Sequence, residues 1–317
     1  MRRFDFQDIN LIPRKCIVNS RSECITRIQF GAYTFAMPVV PANMECVINF
    51  EIAVKLAKAG YFYVMHRFES IDPVDFSQQM KTLGLPISLS IGVNIPDYNL
   101  VLNLKKLNLI PDYLTIDIAH GHSIKMEEMI KYVRGIFPDT FIIAGNVSTP
   151  GGAADLEAWG ANAIKVGIGP GSACTTYTAT GFGSRGTQAS VIEMCSQAVK
   201  NAKIIADGGI KDPGDIAKSI VLGADMVMIG GMFSALTDSP GSTIKGTDGQ
   251  LYKEFWGSAS AFQSGKVGRI EGTKNLLPLK NRSVLEEMKY LQECLQSAIS
   301  YGGTNHVCML KEYVEYF

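Results

Sequence analysis

The feature that most constrains the fold is a regular alternation of short apolar runs with longer segments of helical periodicity. The runs are rich in Val, Ile, Tyr and Phe, and nearly every one leads through a polar or glycine-containing turn into such a segment. The strand candidates are Pro38–Met44, Tyr61–Arg67, Pro86–Val93, Tyr113–Ala119, Phe141–Val147, Ala163–Gly169, Lys203–Gly209 and Asp225–Gly231. Because eight βα repeats close a parallel barrel, the pattern predicts an α/β fold of the (β/α)8 TIM-barrel type.

The residues inside the strands and at the helix ends support this prediction. Runs such as FIIAGNV and DMVMIGG are apolar almost throughout, as expected for parallel strands that are covered by helices and fill a barrel. The helix candidates are Glu51–Ala59, Ile124–Arg134, Gln188–Asn201 and Asp215–Leu222. Glycine turns in KAGYFYV, WGANAIKV and LGADMVMI end three helices. The alternative is an open doubly wound sheet, whose glycine fingerprint is missing after the first strand.

Two stretches, 170–186 and 232–282, break this alternation. Long irregular insertions in compact domains usually form binding loops or lids. We therefore expect the second stretch, which is rich in Gly, Ser and Lys, to form a catalytic flap between strand eight and the last helix. The chain has no Pro- or Ser-rich linker, so we expect residues 1–317 to form a single domain.

Composition limits the classes of ligand and the cellular compartment that we expect for this chain. Thirty basic residues balance 30 acidic ones, so the chain has no net charge to attract nucleic acid or an anionic membrane, and we expect neither as a partner. Seven cysteines without CxxC spacing indicate free thiols in a reducing compartment. MRRFDFQDIN lacks the uninterrupted apolar stretch of a secretion signal, and no apolar run in the sequence reaches about eighteen residues. We expect a soluble cytoplasmic protein that binds small polar molecules.

Polar residues collect where the predicted strands end. In a parallel barrel, the active site lies at the carboxyl ends of the strands. The residues found there are Asn43, His66, Arg67, Asp117, His120, Asn146, Ser172 to Thr176, Asp207, Gly230 and Gly231. Each alone is typical of a hydrogen-bonded turn, but together they predict an active site on this rim.

The run KVGIGPGSACTTYTATG is the most informative of these segments. Gly169, Pro170 and Gly171 predict a tight turn whose N–H groups, with the Ser172 hydroxyl, can hold a phosphate. The same loop exposes Cys174 beside donors that can stabilise a thiolate, so we interpret Cys174 as a nucleophile. The other cysteines are interpreted as inert thiols.

Two further turns suggest a nucleotide monophosphate. In IIADGGIKDPG, the carboxylate of Asp207 can accept hydrogen bonds from two ribose hydroxyls, while Gly208 and Gly209 allow the backbone to approach a phosphate. Gly230 and Gly231 repeat this arrangement one strand later, and phosphates usually bind after strands seven and eight of such barrels. By contrast, His120 and His122 lack a third strong ligand on a neighbouring predicted strand, so we expect rim residues there and no metal.

Several motifs together resemble the IMP dehydrogenase and GMP reductase family. These are FDFQDINLIP at the start of the chain, GIGPGSACTT, IIADGGI and MVMIGGM, and the likeness covers almost the whole chain. In that family, which has the (β/α)8 fold, a loop cysteine attacks C2 of a purine nucleotide. The resemblance implies that Cys174 is this cysteine and that Thr176 assists it. Tyr177 departs from relatives that have Arg after CTT, which affects any cation contact there.

Within the family, two absences favour the reductase branch. Arg67 leads directly towards the next helix, where dehydrogenases usually carry an inserted pair of regulatory domains, and no Arg-Tyr pair occurs between Met232 and Arg282. YKEFWGSASAFQ, GRIEGTK, DIAHGHS and NSRSE resemble bacterial reductases. The implied reaction is the NADPH-dependent reductive deamination of GMP to IMP and ammonia through a cysteine thioimidate, in a homotetramer.

The resemblance also implies roles for individual residues. Glu271 is the flap glutamate that moves protons with Thr176 and Cys174. The implied substrate-binding residues are Ser172, Asp207, Gly208, Gly209, Gly230, Gly231 and Ser258. The implied cofactor-binding residues are Ser20, Arg21, Asp117, Asn146, Gly169, Tyr301 and Gly302, with Arg21 a candidate for the 2′-phosphate. The carbonyls of Gly169 and Gly171 are candidates for a monovalent cation, K⁺.

Three other functions fit parts of the sequence. A short-form IMP dehydrogenase would oxidise IMP instead of reducing GMP. The direction of the assayed reaction distinguishes the two. A flavin-dependent barrel oxidoreductase would be yellow when purified. A non-catalytic nucleotide-binding barrel would need no reactive thiol.

Overall fold

A computed structural model describes residues 3–68, 71–257 and 271–317. The strands are β1 Ile28–Phe30, β2 Tyr33–Phe35, β3 Val39–Pro41, β4 Ser88–Ile91, β5 Tyr113–Asp117, β6 Phe141–Val147, β7 Ala163–Val166, β8 Lys203–Asp207, β9 Met226–Ile229, β10 Thr243–Lys245, β11 Leu251–Trp256 and β12 Lys274–Pro278. The helices are α1 Phe50–Lys58, α2 Pro73–Thr82, α3 Ile95–Lys106, α4 Ile124–Ile136, α5 Pro150–Trp159, α6 Thr176–Thr180, α7 Gln188–Ala198, α8 Gly214–Val221, α9 Gly231–Ser234, α10 Val284–Tyr301 and α11 Leu310–Tyr313. Short 3-10 helices span Phe6–Asp8, Arg21–Glu23 and Val307–Met309.

Seven strands form one parallel sheet in the order β3-β9-β8-β7-β6-β5-β4. Its strands are buried and alternate along the chain with helices, as in a TIM barrel. The predicted fold class is therefore confirmed.

The candidate strand Tyr61–Arg67 is the exception. Only Met65 pairs with the sheet, in an isolated parallel bridge to Leu89 at the outer edge of β4. The Met65 N–H donates to Ser88 O at 3.1 Å, and Met65 O accepts from Ser90 N at 2.9 Å. This segment occupies the position of a barrel strand, but one bridge is too little pairing to make it a strand.

The predicted helices are confirmed to within a few residues. Their ends follow the turn chemistry read from the sequence: Gly60, Gly160 and Gly223 have φ values of 76°, 114° and 104°, a region that favours glycine. Side chains that accept hydrogen bonds from backbone N–H groups begin several helices, as Asn49 does for α1 and Thr149 for α5. Within the described residues, we find no helix of the length and apolar character needed to cross a bilayer.

The predicted flap is more regular than its composition indicates. Strands β10, β11 and β12 form a three-stranded antiparallel sheet in this segment. The reason is that Leu251–Trp256 contains aromatic strand formers whose pairing with Lys274–Pro278 closes the ladder. Likewise, the loop 170–186, expected to be irregular, contains the short helix α6.

Candidate active site

The carboxyl ends of the parallel strands surround a cavity of about 1000 Å³. This volume is at the upper end of the range usual for small-molecule sites. The predicted site residues that line it are Asp117, Asn146, Gly169, Gly171, Ser172, Cys174, Thr176, Asp207, Gly208, Gly209, Gly230, Gly231 and Glu271. The structure thus brings most of the predicted site together at the end of the barrel where active sites lie.

Three side chains form a hydrogen-bonded chain on one wall of this cavity. Cys174 Sγ lies 3.2 Å from Thr176 Oγ1, and Thr176 Oγ1 donates to Glu271 Oε2 at 2.8 Å. Thr176 is almost fully buried, whereas Cys174 and Glu271 are partly exposed to the cavity. A thiol, a hydroxyl and a carboxylate in this order can pass a proton between the flap and an atom bound at the sulfur.

Backbone hydrogen bonds hold the flap against the cysteine loop. Thr175 N donates to Glu271 O at 3.1 Å, and Thr273 N donates to Ala173 O at 2.9 Å. Cys174 and Gly272 therefore face one another in an antiparallel bridge. The position of the Glu271 carboxylate is fixed by the loop that it serves.

The glycine turns beneath the cavity require glycine for two different reasons. Gly208 and Gly209 have φ values of 82° and 81°, which residues with a Cβ atom rarely adopt. At Gly167, an added Cβ would lie 2.0 Å from the backbone oxygen of Asp207. The ends of β7 and β8 are therefore pressed together, which brings the cysteine loop beside Asp207.

A buried ionic cluster forms part of the cavity lining, and sequence reasoning missed its centre. Lys165, on β7, has a side chain that is only 3% exposed. Its Nζ lies 3.0 Å from Asp117 Oδ1 and 3.1 Å from Asp207 Oδ2. It also donates to Asn43 Oδ1 at 3.3 Å. A signal was present, because a lysine within the apolar strand AIKV must be buried and therefore paired.

Asp117 and Lys165 stabilise each other's charged form. Burial would raise the pKa of the Asp117 carboxyl, but Lys165, with smaller contributions from Asn43 and Arg67, holds that pKa below its usual range. Burial would likewise lower the pKa of Lys165, yet the carboxylates of Asp117 and Asp207 outweigh it and raise that pKa. Asp117 and Lys165 therefore remain charged at neutral pH.

Other predicted residues lie outside this cavity. Ser20 and Arg21 are exposed at the start of the 3-10 helix that packs on α10, and Tyr301 at the end of α10 is 68% exposed. Gly302 is buried, with Leu310 and Val314 next to it. None of these four lines the cavity within one chain. Ser258 lies outside the described residues.

His120 and His122 follow the carboxyl end of β5, and both are exposed. His122 Nε2 lies 2.8 Å from Asp155 Oδ2, an ion pair when the imidazole is protonated. Over the three described ranges, no group of three or more His, Cys, Asp and Glu side chains could hold a metal ion.

Comparison with known proteins identifies the relatives of this chain. The IMP dehydrogenase / GMP reductase domain matches residues 3–317. A GMP reductase of Bacillus licheniformis is 51% identical over 302 residues, 95% of this chain and 92% of that protein. A GMP reductase of Mesoplasma florum is 50% identical over 313 residues, which are 98% and 97% of the two chains. A GMP reductase of Bacillus subtilis is 51% identical over 300 residues, covering 95% and 91%.

Proposed function

The chain belongs to the IMP dehydrogenase / GMP reductase family, and from that premise we propose that it is an oxidoreductase that reduces GMP to IMP and ammonia with NADPH. The relatives of about 50% identity carry the name GMP reductase over nearly their whole length. The observation that carries the proposal is the chain from Cys174 through Thr176 to Glu271. It supplies a nucleophile and a proton path at one point of the cavity.

This geometry supports the following proposed chemistry. The Cys174 thiolate adds to C2 of GMP, forming a C–S bond. Thr176 and Glu271 deliver a proton to the amino group, which leaves as ammonia, and the purine remains attached to sulfur as a thioimidate. When bound, NADPH supplies the hydride that C2 then receives. The C–S bond breaks, the thiolate is restored and IMP is released.

The remaining lining residues suit a nucleoside monophosphate. Asp207 presents a carboxylate at the end of β8, where ribose hydroxyls can donate to it. The turns at Gly208–Gly209 and Gly230–Gly231 admit close approach of a phosphate to backbone N–H groups, and Ser172 adds a hydroxyl. Asn275 of β12 donates to Ser172 O at 3.0 Å, so the flap sheet supports this wall as well.

Two observations support the proposal that NADPH binds in this site. The cavity of about 1000 Å³ is large for a single nucleotide monophosphate. The Oδ1 atom of Asn146 is buried and has no hydrogen-bond partner among the described residues, so it can accept from a ligand amide. We assign Asp117, Asn146 and Gly169 to the nicotinamide side of the cavity.

Ser20, Arg21 and Tyr301 are assigned to the other end of NADPH, where the Arg21 guanidinium pairs with the 2′-phosphate. Gly302 is buried, so we assign only its backbone to cofactor binding. These residues do not line the cavity of their own chain. Their separation from it supports the homotetramer that we propose, in which neighbouring copies pack side by side.

The monovalent cation is a weaker fit. The carbonyl of Gly171 already accepts from Cys174 N at 3.1 Å, and Gly169 adds one more carbonyl. Two carbonyls do not make a cation site by themselves.

Two parallel assays test the proposed function. Purified protein should oxidise NADPH when GMP is added, with equal release of ammonia and IMP. It should be much slower with IMP and NAD⁺. A reversed preference would assign the chain to dehydrogenase activity, and binding of GMP without turnover in either assay would leave a nucleotide-binding barrel.

A further inference from the structure

The buried cluster in the cavity wall contains one cation that no step of the reaction uses. Lys165 lies on β7, while its two carboxylate partners stand at the ends of β5 and β8. A buried ammonium is costly unless it is paired, and here its Nζ has three oxygen atoms within 3.3 Å. The strand that carries the cysteine loop is thus joined to the strands that carry Asp117 and Asp207.

The individual oxygen atoms of Asp207 are used unequally. Lys165 Nζ lies 3.1 Å from Oδ2, and Asn146 Nδ2 donates to the same Oδ2 at 2.7 Å. No side chain or backbone N–H of the described residues donates to Oδ1. Since both protein donors hold one oxygen, the other is the atom that Asp207 presents to a ligand.

The oxygens of Asp117 are both engaged. Lys165 Nζ lies 3.0 Å from Oδ1, and Asn43 Nδ2 donates to Oδ2 at 2.8 Å. The two carboxylates therefore approach each other closely around one ammonium. Without that ammonium they would repel, and Arg67 would be the charged group left to act on Asp117 among those that lower its pKa.

We propose that Lys165 is a positioning residue for GMP: with Asn146 it holds Asp207 Oδ2, so that Oδ1 faces the vicinal hydroxyls of the ribose, and its ammonium offsets the repulsion between the carboxylates of Asp117 and Asp207. The ribose part of this inference rests on the proposed function, whereas the ionic part does not. Lys165 itself touches no reacting atom.

The ionic part is tested on the protein without ligands. Lys165→Met removes the ammonium but keeps most of the side-chain volume. Repulsion between the two carboxylates then raises the pKa of one of them in the folded variant above its value in the unfolded chain. Relative to the unmodified protein, the variant should therefore lose stability as the pH rises from 5.5 to 8. We expect this loss to lower its Tm by at least about 5 °C. The double variant Lys165→Met/Asp117→Asn should recover most of this loss at pH 8.

The ribose part is tested by binding of GMP. Titration of GMP alone should give a Kd for Lys165→Met that is roughly 10- to 100-fold higher, the usual effect of a misplaced charged hydrogen-bond partner. Lys165→Arg keeps the charge and should restore part of the affinity. If Lys165→Met does not fold, the Kd for GMP is measured on the double variant instead. Lys131→Met, which removes an exposed lysine paired with Glu127, is the matched control and should change neither quantity.

Equal stability losses at pH 5.5 and pH 8, together with an unchanged Kd for GMP, would overturn the proposal and leave Lys165 a packing element. Failure of the proposed function looks different. In that case the unmodified protein would show no GMP-dependent oxidation of NADPH, while the pH dependence of Lys165→Met would still be seen.

Discussion

Thr176 Oγ1 donates a hydrogen bond to Glu271 Oε2 at 2.8 Å, although the two residues are 95 positions apart in the chain. The hydroxyl also lies 3.2 Å from Cys174 Sγ. A flap carboxylate with this contact is not a free surface charge. In the proposed mechanism, it is the outer end of the proton path to the sulfur.

Glu271→Gln should therefore slow the deamination of GMP by roughly 10²- to 10⁴-fold, the usual contribution of a positioned acid or base. Hydride transfer needs no such proton. In a single turnover that starts from IMP and NADP⁺ without ammonia, the variant should still form the thioimidate and some NADPH. Asp248→Asn removes an exposed carboxylate from the β10–β11 hairpin and should leave both reactions unchanged. Loss of the partial reaction as complete as that of the full reaction would mean that Glu271 is only structural.

Cys174→Ala should abolish turnover while GMP still binds, because the nucleophile is removed and the ribose and phosphate contacts remain. Isothermal titration with GMP and the NADPH assay measure the two effects. Cys195→Ala is the control: this thiol is buried in α7, so its removal should cost roughly 1 kcal/mol of stability but little activity. More than a small residual activity in Cys174→Ala would reject the nucleophile.

Thiol alkylation should separate the cysteines by their surroundings. Burial raises the pKa of Cys195 to about 12 and that of Cys46 to about 11. At pH 8, below both values, about one thiol in 10⁴ and one in 10³ is ionised, so neither should react in the folded protein. Peptide-resolved labelling with iodoacetamide should show reaction at Cys174 that GMP suppresses. Labelling of Cys174 that is indifferent to GMP would place the nucleotide elsewhere.

Arg21→Ala should narrow the preference for NADPH over NADH, since the guanidinium would no longer pair with the 2′-phosphate. The comparison is the ratio of kcat/KM for the two cofactors. Arg27→Ala, also exposed, is the matched control and should keep the original ratio. Equal use of NADPH and NADH by the unmodified protein would remove the argument for Arg21.

Light scattering should give the mass of four chains of 34.5 kDa. Four copies would give the exposed residues Ser20, Arg21 and Tyr301 neighbouring chains to face. A monomer mass at the concentrations used in the assay would contradict the proposed tetramer.

The strands, helices and turns that depend on residues close together in the sequence were predictable. The alternation of apolar runs and helices gave the barrel, and the turns at Gly60, Gly160 and Gly223 lie where their sequence context placed them. The segment Tyr61–Arg67 was wrong as a strand because strand formation depends on partners, and only Met65 has one.

Contacts between distant segments needed the structure. The Cys174–Thr176 pair is local, but the position of Glu271 could be expected only from the family resemblance. Lys165 was overlooked because a strand pattern says which residues are buried but not which buried charges meet. The flap sheet was hidden since its strand formers are short runs within a Gly-, Ser- and Lys-rich segment.

The backbone bonds Thr175 N to Glu271 O and Thr273 N to Ala173 O make the loop and the flap a single interchangeable module. A chimera that takes one of these segments from a distant relative and keeps the other would set two unmatched backbones against each other at the sulfur. Both segments exchanged together would carry their own interface with them. Recombination or engineering that alters the chemistry of this barrel should therefore succeed only when the loop and the flap are exchanged together.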